Sequence, residues 1–232
     1  MLITGIKSRP VYDQLHPMAG GTHHIIAGQG SGGRAMLRLL DDMSGMNLKT
    51  TLLYSRESFS GQDFLSQLQA QFQAQFQEQF QEQFHAQLQA HLQTQPQAQP
   101  QARQVNELRV HASNQELIAD LQSLLGAAFM GTRLYLSGSE SFIGRAMQIA
   151  SLFDLNRDEV LREHSGTLVR RVWCVHCDTF TENVTQRIFK CPGCKLDLVV
   201  RDHYSRRLAA FQAVKADGEV PGELPAAEEL DT

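Results

Sequence analysis

The residues best equipped for chemistry in this 232-residue chain are its four cysteines, which fall in two pairs. Cys174-Val175-His176-Cys177 is followed, 13 residues later, by Cys191-Pro192-Gly193-Cys194. Soft thiolates on two tight turns can converge at about 2.3 Å on one tetrahedral ion, and Pro-Gly in the second pair favours the turn that presents both sulfurs. A closed structural zinc site built by Cys174, Cys177, Cys191 and Cys194 is the first reading. A rubredoxin-like iron centre that carries electrons is the second, and a redox-active Cys-x-x-Cys pair the third. His176 stands between two ligands of a shell that four sulfurs complete, so it reads as a surface spacer. Paired cysteines at this spacing point to a metal in a reducing compartment before they point to disulfides. The chain has no apolar run near the roughly 18–20 residues that cross a bilayer, and Met1 to Gln14 lacks the apolar stretch and cleavage site of a leader. The expectation is a cytoplasmic protein with no membrane partner.

The second candidate is made of backbone. Gly28-Gln29-Gly30-Ser31-Gly32-Gly33 places Gly28, Gly30 and Gly33 at the spacing G-x-G-x-x-G, after an apolar segment and before a helical one. Such a turn can lay a phosphate on the amides of a helix N-terminus. The segment Lys49 to Tyr54 ends without the acidic residue that would hold a ribose. Ser55 and Arg56 stand there instead and suit the 2′-phosphate of an NADP. A turn that only packs helix on sheet explains the same glycines equally well, which leaves two readings open: a vestigial turn or a weak nucleotide site.

The elements that must position these motifs alternate. His23 to Ala27, Lys49 to Tyr54, Asn106 to His111, Arg133 to Leu136 and Val160 to Glu163 read as strands. Arg34 to Leu40, Asn114 to Leu125 (opened by an Asn cap) and Phe142 to Leu155 read as helices. Strand–helix alternation implies α/β architecture, a small doubly wound parallel sheet with helices on both faces. Beyond it, Thr179 to Phe189 reads as a hairpin between the cysteine pairs and Leu196 to Val200 as a further strand, together a ribbon followed by a helix.

Three stretches stand apart. Ser66 to Gln104 is mostly Gln, with Leu68, Phe72, Phe76, Phe80, Phe84, Leu88 and Leu92 four apart. Strict alternation suits a strand, whereas the composition suits a helix whose stripe winds about 40° per step. An elongated helix ending near Pro96 and Pro100 is favoured, as an expanded crossover without a catalytic role; a self-association arm is the rival. The first 21 residues show no pattern, and 216–232 is acidic. Removing all three leaves about 155 residues, room for one core and one stapled module but not for a complete flavin-plus-nicotinamide reductase. The resulting division is 1–165 for the α/β unit with its insertion at 66–104, 166–215 for the ribbon and 216–232 for the acidic end. A net charge of −4 argues against a globally basic nucleic-acid binder. From Leu168 to Arg207, however, eight basic residues face four acidic ones, and His203 lies among them. A nucleic-acid-binding regulator using Arg201, Arg206 and Arg207 therefore stays as an alternative, beside a nucleotide-sensing interaction protein.

Ile25-Ile26-Ala27-Gly28, Leu52-Leu53-Tyr54-Ser55-Arg56 and Leu134-Tyr135-Leu136-Ser137-Gly138-Ser139-Glu140-Ser141-Phe142 resemble the nicotinamide-binding domain of ferredoxin reductases. Gly33-Arg34 replaces that family's Thr-Pro, and Ser137-Gly138-Ser139 its Cys-Gly-Pro. The first 21 residues leave no room for its flavin barrel. Hydride transfer needs an acceptor held against the nicotinamide, so this chain alone is not expected to oxidise NAD(P)H. His164 to Leu168, Arg170 to Cys177, Thr181 to Thr185, Val200 to Ala210 and Pro221-Gly222-Glu223 are similar to the DmmA-like small subunit of bacterial dimethylamine monooxygenases. That resemblance implies partners: a haem-containing oxygenase subunit, a flavin and iron–sulfur reductase subunit and a tetrahydrofolate-binding subunit. It also implies NADPH- and oxygen-dependent demethylation of dimethylamine to methylamine and formaldehyde. Within such an assembly the chain would be a non-catalytic or electron-relay subunit.

Overall fold

The computed structural model describes residues 8–46, 48–75, 106–224 and 228–230. Two five-stranded sheets carry it. The first is parallel throughout: β1 (His23–Gln29), β2 (Thr50–Ser55), β3 (Glu107–His111), β4 (Thr132–Gly138) and β5 (Val160–His164) lie in the order β3-β2-β1-β4-β5. The order reverses direction between β1 and β4, which makes their carboxyl ends the topological switch point.

Helix α1 (Gly33–Asp42) and α2, described over 65–75, cover one face. There Met36, Leu39, Leu68 and Tyr135 are among the buried residues. Helices α3 (Asn114–Gly126) and α4 (Glu140–Leu152) cover the other with Leu121, Phe142, Ile143 and Ala146. The central strands are apolar on both faces, as a sheet covered twice requires: Ile25, Ile26, Leu52 and Leu53 are all inaccessible. The doubly wound reading is therefore right, with boundaries shifted by one to three residues. The expected Asn114 cap is corrected: Ser113 caps α3, its hydroxyl accepting from the Glu116 amide at 3.2 Å. Of the Gln-rich tract, 66–75 is helical as expected. There Gln71 and Gln75 donate to the carbonyls of Leu37 and Leu40 in α1. Residues 76–105 lie outside the described residues.

The second sheet contains β6 (Arg170–Cys174), β7 (Phe180–Val184), β8 (Ile188–Lys190), β9 (Asp197–Ser205) and β10 (Ala210–Lys215), ordered β7-β6-β10-β9-β8. Two expectations are corrected here. The segment 179–189 does not fold into a hairpin on itself: β7 pairs with β6, β8 pairs with β9, and the two strands end on opposite edges. Among the described residues no helix follows the ribbon; β10 inserts between β6 and β9, putting Phe211 and Ala213 in the core.

The two stretches set aside by composition also pack. Leu230 is buried in the ribbon core, its amide bonded to the Thr185 carbonyl, and Arg187 pairs with Glu228. Near the other end, Leu15 is buried in the first unit, and Arg9 crosses from one unit to the other. Its Nε donates to Glu140 of α4 at 3.0 Å, while its guanidinium lies 5.2 Å from the ring centre of Phe211 in β10. Arg170 of β6 stacks on the same ring at 4.6 Å. Glycine is required at 144, where a Cβ would come within 2.5 Å of the Tyr204 hydroxyl, so α4 can approach the second sheet.

Candidate metal centre and the glycine turn

The cysteine pairs close two hairpins, β6–β7 and β8–β9, and the two turns repeat one set of bonds. The Asp178 amide donates to the Cys174 carbonyl at 3.0 Å, and the Lys195 amide to the Cys191 carbonyl at 3.0 Å. The first cysteine of each turn donates back across the hairpin, Cys174 to Thr179 and Cys191 to Leu196, each at 2.9 Å. Each pair is followed by a residue in the left-handed region, Asp178 at φ 59° and Lys195 at φ 63°. The turns interlock at Gly193, where a Cβ would lie 2.2 Å from the Thr179 hydroxyl and 2.9 Å from Cys177 Sγ.

All four sulfurs lie within 4.8 Å of one another. Cys174 to Cys194 is 3.8 Å and Cys177 to Cys191 is 3.6 Å. Tetrahedral thiolates at about 2.3 Å from one ion stand about 3.8 Å apart, so the sulfurs fit a metal. Disulfide bonds would need about 2.05 Å. The surroundings favour a thiolate at Cys177. Thr179 bonds through both hydroxyl and amide to Cys177, whose thiol is held below its usual range. Burial pushes the Cys174 thiol up, against the opposing donation of the His176 and Cys177 amides. A metal would reverse that rise, because it binds sulfur only as the anion. His176 is exposed, in keeping with a spacer, and His203 is exposed too.

The glycine turn differs. Each position where glycine was expected to make room for a phosphate faces the chain's own atoms. A Cβ on Gly28 would meet Met36 at 2.2 Å, one on Gly30 would meet Ser58 at 2.2 Å, and one on Gly33 would meet Phe64 at 2.5 Å. The Tyr54 hydroxyl fastens the covering loop, donating to the Gly30 carbonyl at 2.9 Å and accepting from the Phe64 amide at 2.8 Å. Ser55 is buried, its hydroxyl accepting from the Glu57 amide, and Arg56 is paired with Asp63 at 2.6 Å.

A polar cleft of about 540 Å³ does open at the switch point, between Gln29 of β1 and Ser139, which caps α4, with Arg145 and the ribbon's Asn183 on its walls. Gly28, Gly30, Gly33, Ser55 and Arg56 do not line it. Gln29 spans it, accepting from the Ser139 amide at 3.1 Å and its hydroxyl at 2.9 Å. Sequence reasoning missed Gln29 and the Arg9–Glu140 pair. Gln29 could have been suspected as the last residue of β1 at a switch point; Arg9 sits in a stretch with no periodicity to betray it.

The family models divide at the same place as the structure. The model described as "Dimethylamine monooxygenase subunit DmmA-like, N-terminal domain" matches residues 4–99 and 93–160, and its C-terminal counterpart matches 171–214. The chain belongs to the DmmA-like family of dimethylamine monooxygenase subunits. A curated relative, the heme-dependent oxidative N-demethylase delta subunit of Ectopseudomonas mendocina, is 36% identical over 108 residues, 45% of this chain and 62% of that protein. Among solved structures, a type IV self-sufficient cytochrome P450 monooxygenase aligns with a TM-score of 0.41 at 16% identity, over 66% of this chain and 17% of that one. The FAD/NAD-binding domain of a nitric oxide dioxygenase from Vibrio cholerae O1 biovar El Tor gives 0.40 at 14%, over 68% and 56%. The parallel sheet order itself carries the fold assignment. No described helix is long and apolar enough to cross a membrane.

Proposed function

We propose that this chain is an assembly subunit of a multicomponent, NADPH- and oxygen-dependent oxidative N-demethylase acting on dimethylamine. In this reading it organises the haem-containing oxygenase, the flavin and iron–sulfur reductase and the tetrahydrofolate-binding subunit, and does none of the chemistry. The observation that carries the reading is the contrast within one family member: a four-sulfur cluster of metal-binding geometry beside a nucleotide turn packed with the chain's own side chains. The relative named as a demethylase delta subunit supports the oxygenase setting. Cys174, Cys177, Cys191 and Cys194 hold zinc, which supplies folding energy to a small module and no redox step. Gly28, Gly30, Gly33, Ser55 and Arg56 serve packing. The chain works in the cytoplasm.

The nucleic-acid alternative rests on a narrower basis, Arg201, Arg206 and Arg207, because half of the basic residues around them are neutralised by ion pairs. Of the eight basic residues from Leu168 to Arg207, Arg170, Arg171, Arg187 and Lys190 are paired with Asp202, Glu182, Glu228 and Asp197.

Co-expression with the three partner subunits and size-exclusion chromatography tests the proposal. The expected result is one complex whose NADPH oxidation depends on dimethylamine, with this chain alone inert, colourless and carrying one equivalent of zinc. A complex that assembles and turns over fully without this chain overturns it. Iron with a thiolate absorption band and a reversible redox wave moves the chain to the electron-relay role.

A further inference from the structure

An open groove of about 800 Å³ lies away from both the cysteines and the glycine turn. It runs between the outer face of α4, the segment Pro10 to Tyr12 and the β9–β10 turn, so both units form its walls. Its floor is apolar, with Ile143, Met147 and Leu155. Val11 and Leu152 on it are 76% and 66% exposed, a cost in water that a covering surface would remove. Arg157, Arg162, Arg206 and Arg207 line it, and no carboxylate does. Of the eleven other arginines among the described residues, eight are paired with carboxylates, all but Arg34, Arg145 and Arg201. The four of the groove have no such partner. In a chain of net charge −4 the groove is a local reversal of sign.

We infer that this groove docks an acidic, apolar-faced polypeptide segment of another subunit of the complex, an inference that rests on the assembly reading above. Charge complementarity selects the occupant. Four unpaired guanidiniums around an apolar floor match carboxylates flanking an apolar stripe. The exposed apolar side chains belong to an open trough, where a segment of chain would cover more of them than a compact ligand would. The groove also reads the state of the whole subunit, since it exists only while the two units are held together.

The test uses the full chain and the purified remaining subunits, with binding followed by interferometry at several salt concentrations. Arg206→Glu/Arg207→Glu should weaken binding at least tenfold and flatten its salt dependence. Leu152→Asp should weaken it at low and high salt alike. Arg201→Glu, outside the groove, should change binding less than twofold. Unchanged metal content and unfolding temperature establish that each variant is folded. Wild-type binding with groove variants equally tight overturns the groove and leaves the assembly reading standing; absence of wild-type binding overturns both. Self-association of the isolated chain that Leu152→Asp abolishes, or a small anion that the isolated chain retains through Arg206 and Arg207 while assembly is unaffected, also overturns it.

Discussion

The cysteine turns and the glycine turn are both short motifs recognised by spacing, yet one gathers four sulfurs and the other forms a packed junction. A cysteine acts through its side chain, so two Cys-x-x-Cys pairs constrain where sulfur goes. In the fold the sulfurs meet within 4.8 Å. A glycine acts through what it lacks. The space freed at Gly28, Gly30 and Gly33 can admit a phosphate or a neighbouring side chain, and here Met36, Ser58 and Phe64 take it. Spacing specifies function when the reacting atom belongs to the motif, and underspecifies it when the motif only makes room.

The hardest blow to that contrast falls on the metal side. Cys191→Ser removes a buried thiol of the proposed zinc site, and structural zinc is worth about 10 kcal/mol or more to small modules. The ribbon should lose its metal and unfold while the parallel sheet stays folded. Metal analysis and the fluorescence of Trp173, the single tryptophan, which lies in β6, check this.

On the glycine side the expected effect is smaller and needs no ligand. At Gly32, whose φ of −61° suits any residue, an added Cβ would sit 2.4 Å from the backbone oxygen of Ser137. Because backbone cannot swing aside, Gly32→Ala should cost about 1–3 kcal/mol by denaturant titration, with or without nucleotide. Full stability together with lost NADPH affinity would instead make the turn a working phosphate site.

The smallest effect separates the units by pH. Burial, reinforced by Lys49, holds His23 down to about 4, and burial with Arg133 lowers His24. These imidazoles stay neutral in the fold, whereas the unfolded chain takes up protons near pH 6.5. The unfolded state therefore binds more protons between about pH 6.5 and about 4, and stability falls as pH drops through that window. Amide exchange on β1 should quicken there, and His23→Gln should blunt the response. A pH-independent β1 would break the assignment.

How much of this was legible follows from the same distinction. The five parallel strands were readable because fully buried strands are runs of apolar residues, and the convergence of the four sulfurs because it follows from their spacing. The start of α3 was also within reach. Ser113-Asn114-Gln115-Glu116 is the Ser-x-x-Glu pattern of a capping box, and Ser113 does accept from the Glu116 amide. Strand β10 was not: Ala210, Gln212, Ala213 and Lys215 favour helix, and pairing with both β6 and β9 overrides that preference. The ribbon's strand order was hidden because a local hairpin and two distant pairings have the same composition. The positions of Arg9 and Leu230 were hidden because a single anchoring residue leaves no period.

Arg9 is 131 residues from Glu140 and still farther from Phe211. A chain made from its amino end must therefore wait for α4 before Arg9 finds Glu140, and for most of the ribbon before it meets Phe211. The contact that clasps the two units closes only after β10 has emerged, which makes it a late contact in the order of synthesis. A product stalled before Phe211 would contain a complete parallel sheet and two cysteine turns, with the clasp open.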